Sequence, residues 1–289
     1  MLRDGDPLLS AEALAVARVD TGQRDTLIQL ALPLSNQRLV ELARREGSWV
    51  EHVAWDESLE RIRATRRLQL GELVVQEKAQ SSVAPEQCQD LLLERFQLGG
   101  TLGQLPWSDS CEQLRRRLVL AHLHLGAPWP NRQRELLVKQ AGDWLPPCLM
   151  NCLSLSDINP TDLEEALWGD LGWSQRQRLN QLLPLHFAVP SGRSAKLHYE
   201  EDEVVLAVKL QEMFGAMTGP HVLEGKMPVT VELLSPAGRP LQRTQDLESF
   251  WAGSYAQVRR EMRGRYPRHP WPDDPVSAQA TARAKPRGT

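Results

Sequence analysis

The period of the apolar residues changes twice along the chain, and each change marks a different kind of structure. Up to residue 80 apolar and polar positions alternate over short runs, which predicts strands at 14–19, 26–34, 49–55, 61–70 and 72–77. Asp20-Thr-Gly-Gln supplies a turn between the first two, and Gly71 joins the last two. Ser35 caps a helix across 37–45 that Gly47 ends. Five short strands and one helix are compatible with a small β-barrel of the oligonucleotide-binding (OB) type. Within 61–68, Ile62, Ala64, Arg66 and Leu68 alternate with Arg61, Arg63, Thr65 and Arg67, so one face reads as core and the other as basic.

From 81 to 185 the period becomes helical. Helices are predicted at 86–98, 108–125, 131–144, 161–171 and 174–183, with Ser108, Asn131, Thr161 and Ser174 as caps and Thr161 with Glu164 as a capping box. Trp107, Trp129, Trp144, Trp168 and Trp173 are expected to pack between these helices, with base stacking the lesser reading. The glycine-rich loop Gly99-Gly-Thr-Leu-Gly103 follows a helix and lacks a lysine, so it reads as a turn and not as a phosphate cradle.

Alternation returns from 186, with strands expected at 187–189, 196–199, 204–209, 229–234 and 241–244. Asp246 then caps an amphipathic helix whose Leu247, Phe250, Trp251, Tyr255, Val258 and Met262 share a face, and Gly264 stops it. Pro267, Pro270, Pro272 and Pro275 force an extended path beyond. Residues 276–289 carry no apolar period and are expected to be disordered. The fold class is therefore α+β. An OB-like domain (1–80) precedes a helical segment (81–185), a C-terminal β-plus-helix module with an extended Pro/Trp tail (186–275), and a short free end (276–289).

Composition adds three points. The 289 residues suffice for one large or two ordinary domains with a real core. No apolar run approaches the roughly 18 residues of a membrane span, and Met-Leu-Arg-Asp-Gly-Asp is no signal peptide, so a cytoplasmic protein without membrane insertion is expected. The four cysteines (88, 111, 148, 152) lack the paired spacing of a zinc site and read as reduced, buried thiols. Charge sharpens the picture further. The net value is −3, but from 237 onward ten cations face five acids, a local +5 against −8 in the preceding 236 residues. Such asymmetry points to an anionic partner for the tail.

Catalytic motifs are missing. A phosphate-binding loop needs Gly-x-x-x-x-Gly-Lys-Ser/Thr, and the one Gly-Lys pair, Gly225-Lys226, is followed by Met227. The Asp-Glu pairs continue as Asp56-Glu57-Ser58 and Asp202-Glu203-Val204, neither of them Asp-Glu-Ala-His. No nucleophile elbow, zincin helix or paired-carboxylate spacing occurs either. No catalytic or metal-binding residue is assigned.

The run Leu-Leu-Ser-Pro-x-x-Arg-Pro (233–240), Thr-x-Asp-Leu (244–247), Phe250-Trp251, Ser254-Tyr255 and Arg-Gly-Arg-Tyr-Pro-x-His-Pro-Trp-Pro-Asp-Asp-Pro (263–275) carries a family signature. Val189-Pro-Ser-Gly192, residues 205–215 and Leu105-Pro-Trp-Ser108 agree with it. The chain resembles the C-terminal part of the HrpB-type ATP-dependent helicases, a branch of the DEAH-like RNA helicases. That resemblance implies an ATPase motor of two RecA-like domains ahead of this region, and none of its motifs is present here. A helicase without its motor is expected: a fragment, a truncated reading frame or an expressed C-terminal piece, with ATP and Mg²⁺ left to the motor, no cofactor of its own and no ATPase activity alone.

Two functions then compete. In the first, an accessory region contacts single-stranded RNA or DNA and packs on the motor. Arg61, Arg63, Arg66, Arg67, Arg239, Arg243, Arg259, Arg263, Arg265 and Arg268, with Arg193 and Lys196, would follow the phosphates. In the second, the greasy helix and Pro-rich segment dock a partner protein with no nucleic-acid contact. Phe250, Trp251, Tyr255, Tyr266, His269 and Trp271 form the structural signature. Tyr266, His269 or Trp271 can stack on a base, but pinning the tail to its own domain is the favoured role of Tyr266 and Trp271.

Overall fold

The computed structural model describes Leu2 and residues 6–21, 26–80 and 83–283. The chain forms two compact units, Met1–Leu98 with Leu149–Asp157, and Gly99–Cys148 with Ile158–Thr289. This division cuts through the expected helical segment: its first helix and its 149–157 stretch go with the N-terminal strands, and the remainder goes with the C-terminal sheet. A backbone bond supplies one reason, since Ile62 N–H donates to the Leu153 carbonyl at 2.7 Å.

In the first unit, β1 (Ala13–Thr21) and β2 (Thr26–Leu34) pair antiparallel as an isolated ribbon with register shifts around Arg18. Of the turn expected between them, Gly22 and Gln23 lie outside the described residues. Helix α1 (Asn36–Glu46) follows, and the Ser35 hydroxyl accepts from Arg38 N–H as a cap must. It ends where the backbone turns extended at Gly47, a position open to glycine because a Cβ there would sit 2.2 Å from the Gln69 carbonyl oxygen. β3 (Ser48–Asp56), β4 (Arg61–Leu70) and β5 (Leu73–Ala79) then form an antiparallel meander in that order. All five expected strands exist, but the barrel does not. Among the described residues β1 and β2 pair as strands only with each other, and a barrel closes only when its first and last strands pair. α2 (Pro85–Gly99) buries Cys88, Leu92 and Phe96, a four-residue spacing that makes one stripe.

The second unit opens with α3 (Asp109–Leu125), capped by the Ser108 hydroxyl at 3.1 Å from Cys111 N. The helix expected at 131–144 is two, α4 (Arg134–Lys139) and α5 (Ala141–Trp144), because Gln140 leaves helical geometry. α6 (Pro160–Trp168) starts earlier than Thr161: Asn159 accepts from Thr161 N–H at 3.0 Å and Pro160 takes the first helical position. The Thr161–Glu164 box is thereby displaced, and Glu164 accepts instead from the Ser110 hydroxyl. α7 (Trp173–Leu182) likewise starts from Gly172, whose N–H donates to Gln175 Oε1 at 2.8 Å, so Ser174 lies inside the helix and does not cap it.

The sheet of this unit contains β6 (His186–Ala188), β7 (Ser194–Tyr199), β8 (Val204–Lys209), β11 (Thr230–Leu234) and β12 (Pro240–Thr244), in the order β12-β11-β8-β7-β6. β8 and β11 run parallel, and the crossover between them holds the small hairpin β9 (His221–Val222) and β10 (Met227–Pro228). β8 is buried on both faces at Val204, Val205, Leu206 and Val208, as a central strand requires. The helix expected from Asp246 to Gly264 is again two, α8 (Leu247–Ala252) and α9 (Tyr255–Arg265). Gly253 breaks it with a non-helical backbone, and Gly264 lies inside α9 and does not stop it.

A knot of charge holds α3. Glu112 accepts from Arg115 at 2.8 Å, Arg116 at 2.6 Å, Arg134 at 2.9 Å and the Trp107 indole at 3.0 Å. The Arg115 side chain is 1% exposed and also meets Glu201 at 2.5 Å. Burial opposes the Glu112 charge, but these hydrogen bonds and cations outweigh it and hold the carboxyl at about 2.

Candidate nucleic-acid interface

The ten arginines expected to follow a phosphate backbone divide into three groups. In the first, the charge is already committed within the chain. Arg67 Nε lies 2.8 Å from Glu77, its partner on β5. Arg243 reaches Glu203 at 2.7 Å and Glu200 at 3.9 Å. Arg259 donates to the Trp271 carbonyl at 2.8 Å and meets Asp273 at 2.5 Å. Arg193, expected beside the ten, behaves likewise and forks onto buried Glu212 at 2.6 and 2.9 Å. These side chains join pieces of one fold, and a phosphate would have to compete with a carboxylate for each.

The second group sits on β4. Arg61 and Arg63 are exposed and both line a cleft of about 420 Å³ whose walls include Leu59, Val83, Pro85 and Asn151. Arg63 has only a loose neighbour, Asp56 at 3.8 Å. The Asp56 carboxylate is held below its ordinary range by the Ser58 hydroxyl and the Leu59 and Ser58 amides, with Arg63 the smallest contributor. Arg66 points to the opposite face of the strand, where it lies 5.8 Å from the Trp49 ring centroid beside Lys78 at 5.1 Å. The four β4 arginines therefore do not share a face.

The third group follows the aromatic signature. Phe250, Trp251 and Tyr255 form a buried cluster with Phe214, with centroids 4.9 Å apart for Phe250 and Trp251 and 5.5 Å for Trp251 and Tyr255. Polar handles tie this cluster to the extended tail. The Trp251 indole donates to the Ala216 carbonyl at 2.8 Å, the Tyr255 hydroxyl to Pro272 at 2.8 Å, and the Trp271 indole to Tyr266 at 2.9 Å. Burial pushes the Tyr255 hydroxyl up to about 12. His269 Nδ1 lies 2.7 Å from Gln211 Oε1, and burial, then the Lys209 charge, lowers its proton affinity.

Gln211 also donates to Thr281 at 3.1 Å and Arg283 at 3.3 Å, and Gly215 donates to Pro275 at 3.0 Å. Residues 276–283 thus carry defined contacts where disorder was expected, and 284–289 lie outside the described residues. The tail is a clasp. What it leaves in solvent are four arginines: Arg260, Arg263, Arg265 and Arg268 are all exposed and, among the described residues, make no ion pair, although Arg263 and Arg265, two apart on α9, point to different sides of it. Arg239 is exposed too, at the Ser235–Arg239 turn that Gly238 closes with φ near 78°.

One feature escaped the sequence pattern. Trp173, expected between helices, is 77% exposed at the first position of α7, because the helix starts at Gly172 and buries Leu179 and Leu182 instead.

Comparison with known proteins agrees with this anatomy. Residues 144–275 match the family described as ATP-dependent helicase C-terminal, and 48–80 match the connector region of ATP-dependent RNA helicase HrpB. The ATP-dependent RNA helicase HrpB of Escherichia coli K12 is 39% identical over 263 residues, covering 90% of this chain and 32% of that protein. The crystal structure of the E. coli DExH-box NTPase HrpB superposes with a TM-score of 0.65 at 37% identity, over 97% of this chain and 35% of that one. A second, of the E. coli DEAH/RHA helicase HrpB, gives 0.56 at 35% identity, over 94% and 34%. The chain thus spans about a third of the length of the relatives it matches.

Proposed function

We propose that this chain, which belongs to the HrpB-type helicases as the counterpart of their C-terminal region, is an accessory part that contacts single-stranded RNA and packs against an ATPase motor. The observation that carries the first half is the set of exposed arginines on α9 and the turn after it. Arg260, Arg263, Arg265 and Arg268 stand exposed and, among the described residues, without an ion pair, on a segment held in place by Tyr255, Met262 and the clasp. Cations presented on a rigid support lose little entropy when they meet phosphates, and each releases condensed counterions. Arg61 and Arg63 add a second basic site with an apolar wall, suited to a phosphate and the base beside it.

In this reading the committed arginines are struts, and the clasped Trp271 and Tyr266 are not stacking platforms. ATP and Mg²⁺ belong to the motor, and this chain hydrolyses no ATP alone. Among the described residues no helix is long and apolar enough to cross a membrane, and the cytoplasm is the proposed location.

Fluorescence anisotropy with labelled single-stranded RNA across a salt series tests the proposal. The expected result is binding that weakens steeply with salt. Replacing Arg263, Arg265 and Arg268 by alanine should flatten the log–log slope by about 0.7 for each phosphate contact removed. Equal binding of a matched DNA would show that phosphates and base faces, and not the 2′-hydroxyl, are read. A folded chain that binds neither strand at low salt overturns the nucleic-acid half. It leaves protein docking as the alternative function, which the wide apolar surface of the first unit favours.

A further inference from the structure

The ribbon β1–β2 is built of apolar residues that it does not bury. Val16, Val19, Leu27, Leu30 and Leu32 are 45%, 49%, 37%, 58% and 69% exposed, and no described residue of either strand is buried. β2 alternation sets Ile28, Leu30, Leu32 and Leu34 on one face, with Ala15 opposite Leu32 and Ala13 opposite Leu34. Arg18 and Asp20 are the ribbon's only charges among its described residues. A two-stranded ribbon is marginal in water by itself, and an exposed apolar surface of this kind marks a contact.

We propose that this face docks the part of an HrpB-type helicase that this chain does not span, through an apolar surface on that part. The proposal rests on the motor-packing reading and names the surface that would do the packing. Three observations choose this occupant. The connector match begins at 48, so the ribbon lies on the N-terminal side of regions described as connector and C-terminal, while the E. coli relative is matched over only 32% of its length. The near absence of charge rules against a phosphate backbone. The register shifts at Arg18 and the missing N–H of Pro33 interrupt the ribbon's edges, which disfavours edge pairing with a second copy but leaves its face open.

The test titrates the purified chain with the E. coli HrpB polypeptide lacking the matched 263 residues, used only after circular dichroism and a cooperative melt show it folded, and compares wild type with Leu30→Lys/Leu32→Lys by sedimentation. Both side chains are exposed, so the variant should melt like wild type by circular dichroism, and Leu30→Ser/Leu32→Ser repeats the test without added charge. The expected result is a one-to-one complex, little affected by salt, that weakens at least about tenfold in both variants, as central anchor residues do. Equal binding by wild type and variants overturns the ribbon as the docking face while sparing the motor-packing reading. No complex with wild type overturns both. A wild-type chain that dimerises through Leu30 and Leu32 also overturns the proposal, because the face then serves a second copy.

Discussion

The core of the second unit and the ribbon and cleft of the first handle greasy and charged side chains in opposite ways. In the second, Phe250, Trp251 and Tyr255 sit in a closed cluster where Trp251 and Tyr255 send their polar atoms to Ala216 and Pro272, and buried Arg115 lies between Glu112 and Glu201. In the first, the ribbon leaves Leu30 and Leu32 in solvent, and Arg61 and Arg63 line an open cleft. Burial with the polar atoms of the cluster and the charged knot satisfied makes a closed core. Apolar surface left open makes a unit that is complete only against something else.

Mutation should expose this contrast most sharply in the charged knot and the aromatic cluster. Glu112→Gln leaves Arg115 buried beside one remaining, half-exposed carboxylate, and should cost about 3–5 kcal/mol in urea unfolding. Trp251→Ala, which opens the cluster, should cost about as much, roughly 3–5 kcal/mol. If either falls within the range of a surface substitution, the second unit is less closed than its geometry says.

Acid should find the same knot. The folded pKa of Glu112 lies below its unfolded value near 4.5, so its contribution is complete above that pH and is lost as pH falls toward 2. The loss should be on the order of 3 kcal/mol, absent in Glu112→Gln, and readable as a difference between their pH-dependent unfolding curves. Smaller effects come next. Tyr255→Phe keeps the ring but strips the hydroxyl from the Pro272 carbonyl, so a cost of about 1 kcal/mol and faster hydrogen exchange around 272–276 are expected. Least of all, Leu30→Ser should change stability by less than about 0.5 kcal/mol, because its side chain already meets water.

What the sequence disclosed follows the range of the forces involved. Ser35, Ser108 and Asp246 were legible as caps because a cap bonds an amide two or three residues on, and no distant group intervenes. Thr161 and Ser174 failed for the same local reason in reverse: Asn159-Pro160 and Gly172 stood just upstream as competitors, and the start that buries Leu163 and Leu179 prevailed. The single helix from 246 became two at Gly253, because helical spacing continues across a break that keeps Trp251 and Tyr255 on one cluster. The arginines were legible as a basic set but not as a site. Arg243 meets Glu203 forty residues away and Arg193 meets Glu212 nineteen residues away, and no spacing rule announces such partners.

By itself, then, the sequence determined the strands, most of the helices, the family signature and the concentration of cations beyond 237, since periodicity and local chemistry act over a few residues. Tertiary structure alone decided that five N-terminal strands form a ribbon and a meander instead of a barrel, and that the proline-rich tail is a clasp. It also decided which arginines remain outward. Strand closure, burial and ion pairing join residues far apart in the chain, and their outcome depends on which groups the fold brings within a few ångströms.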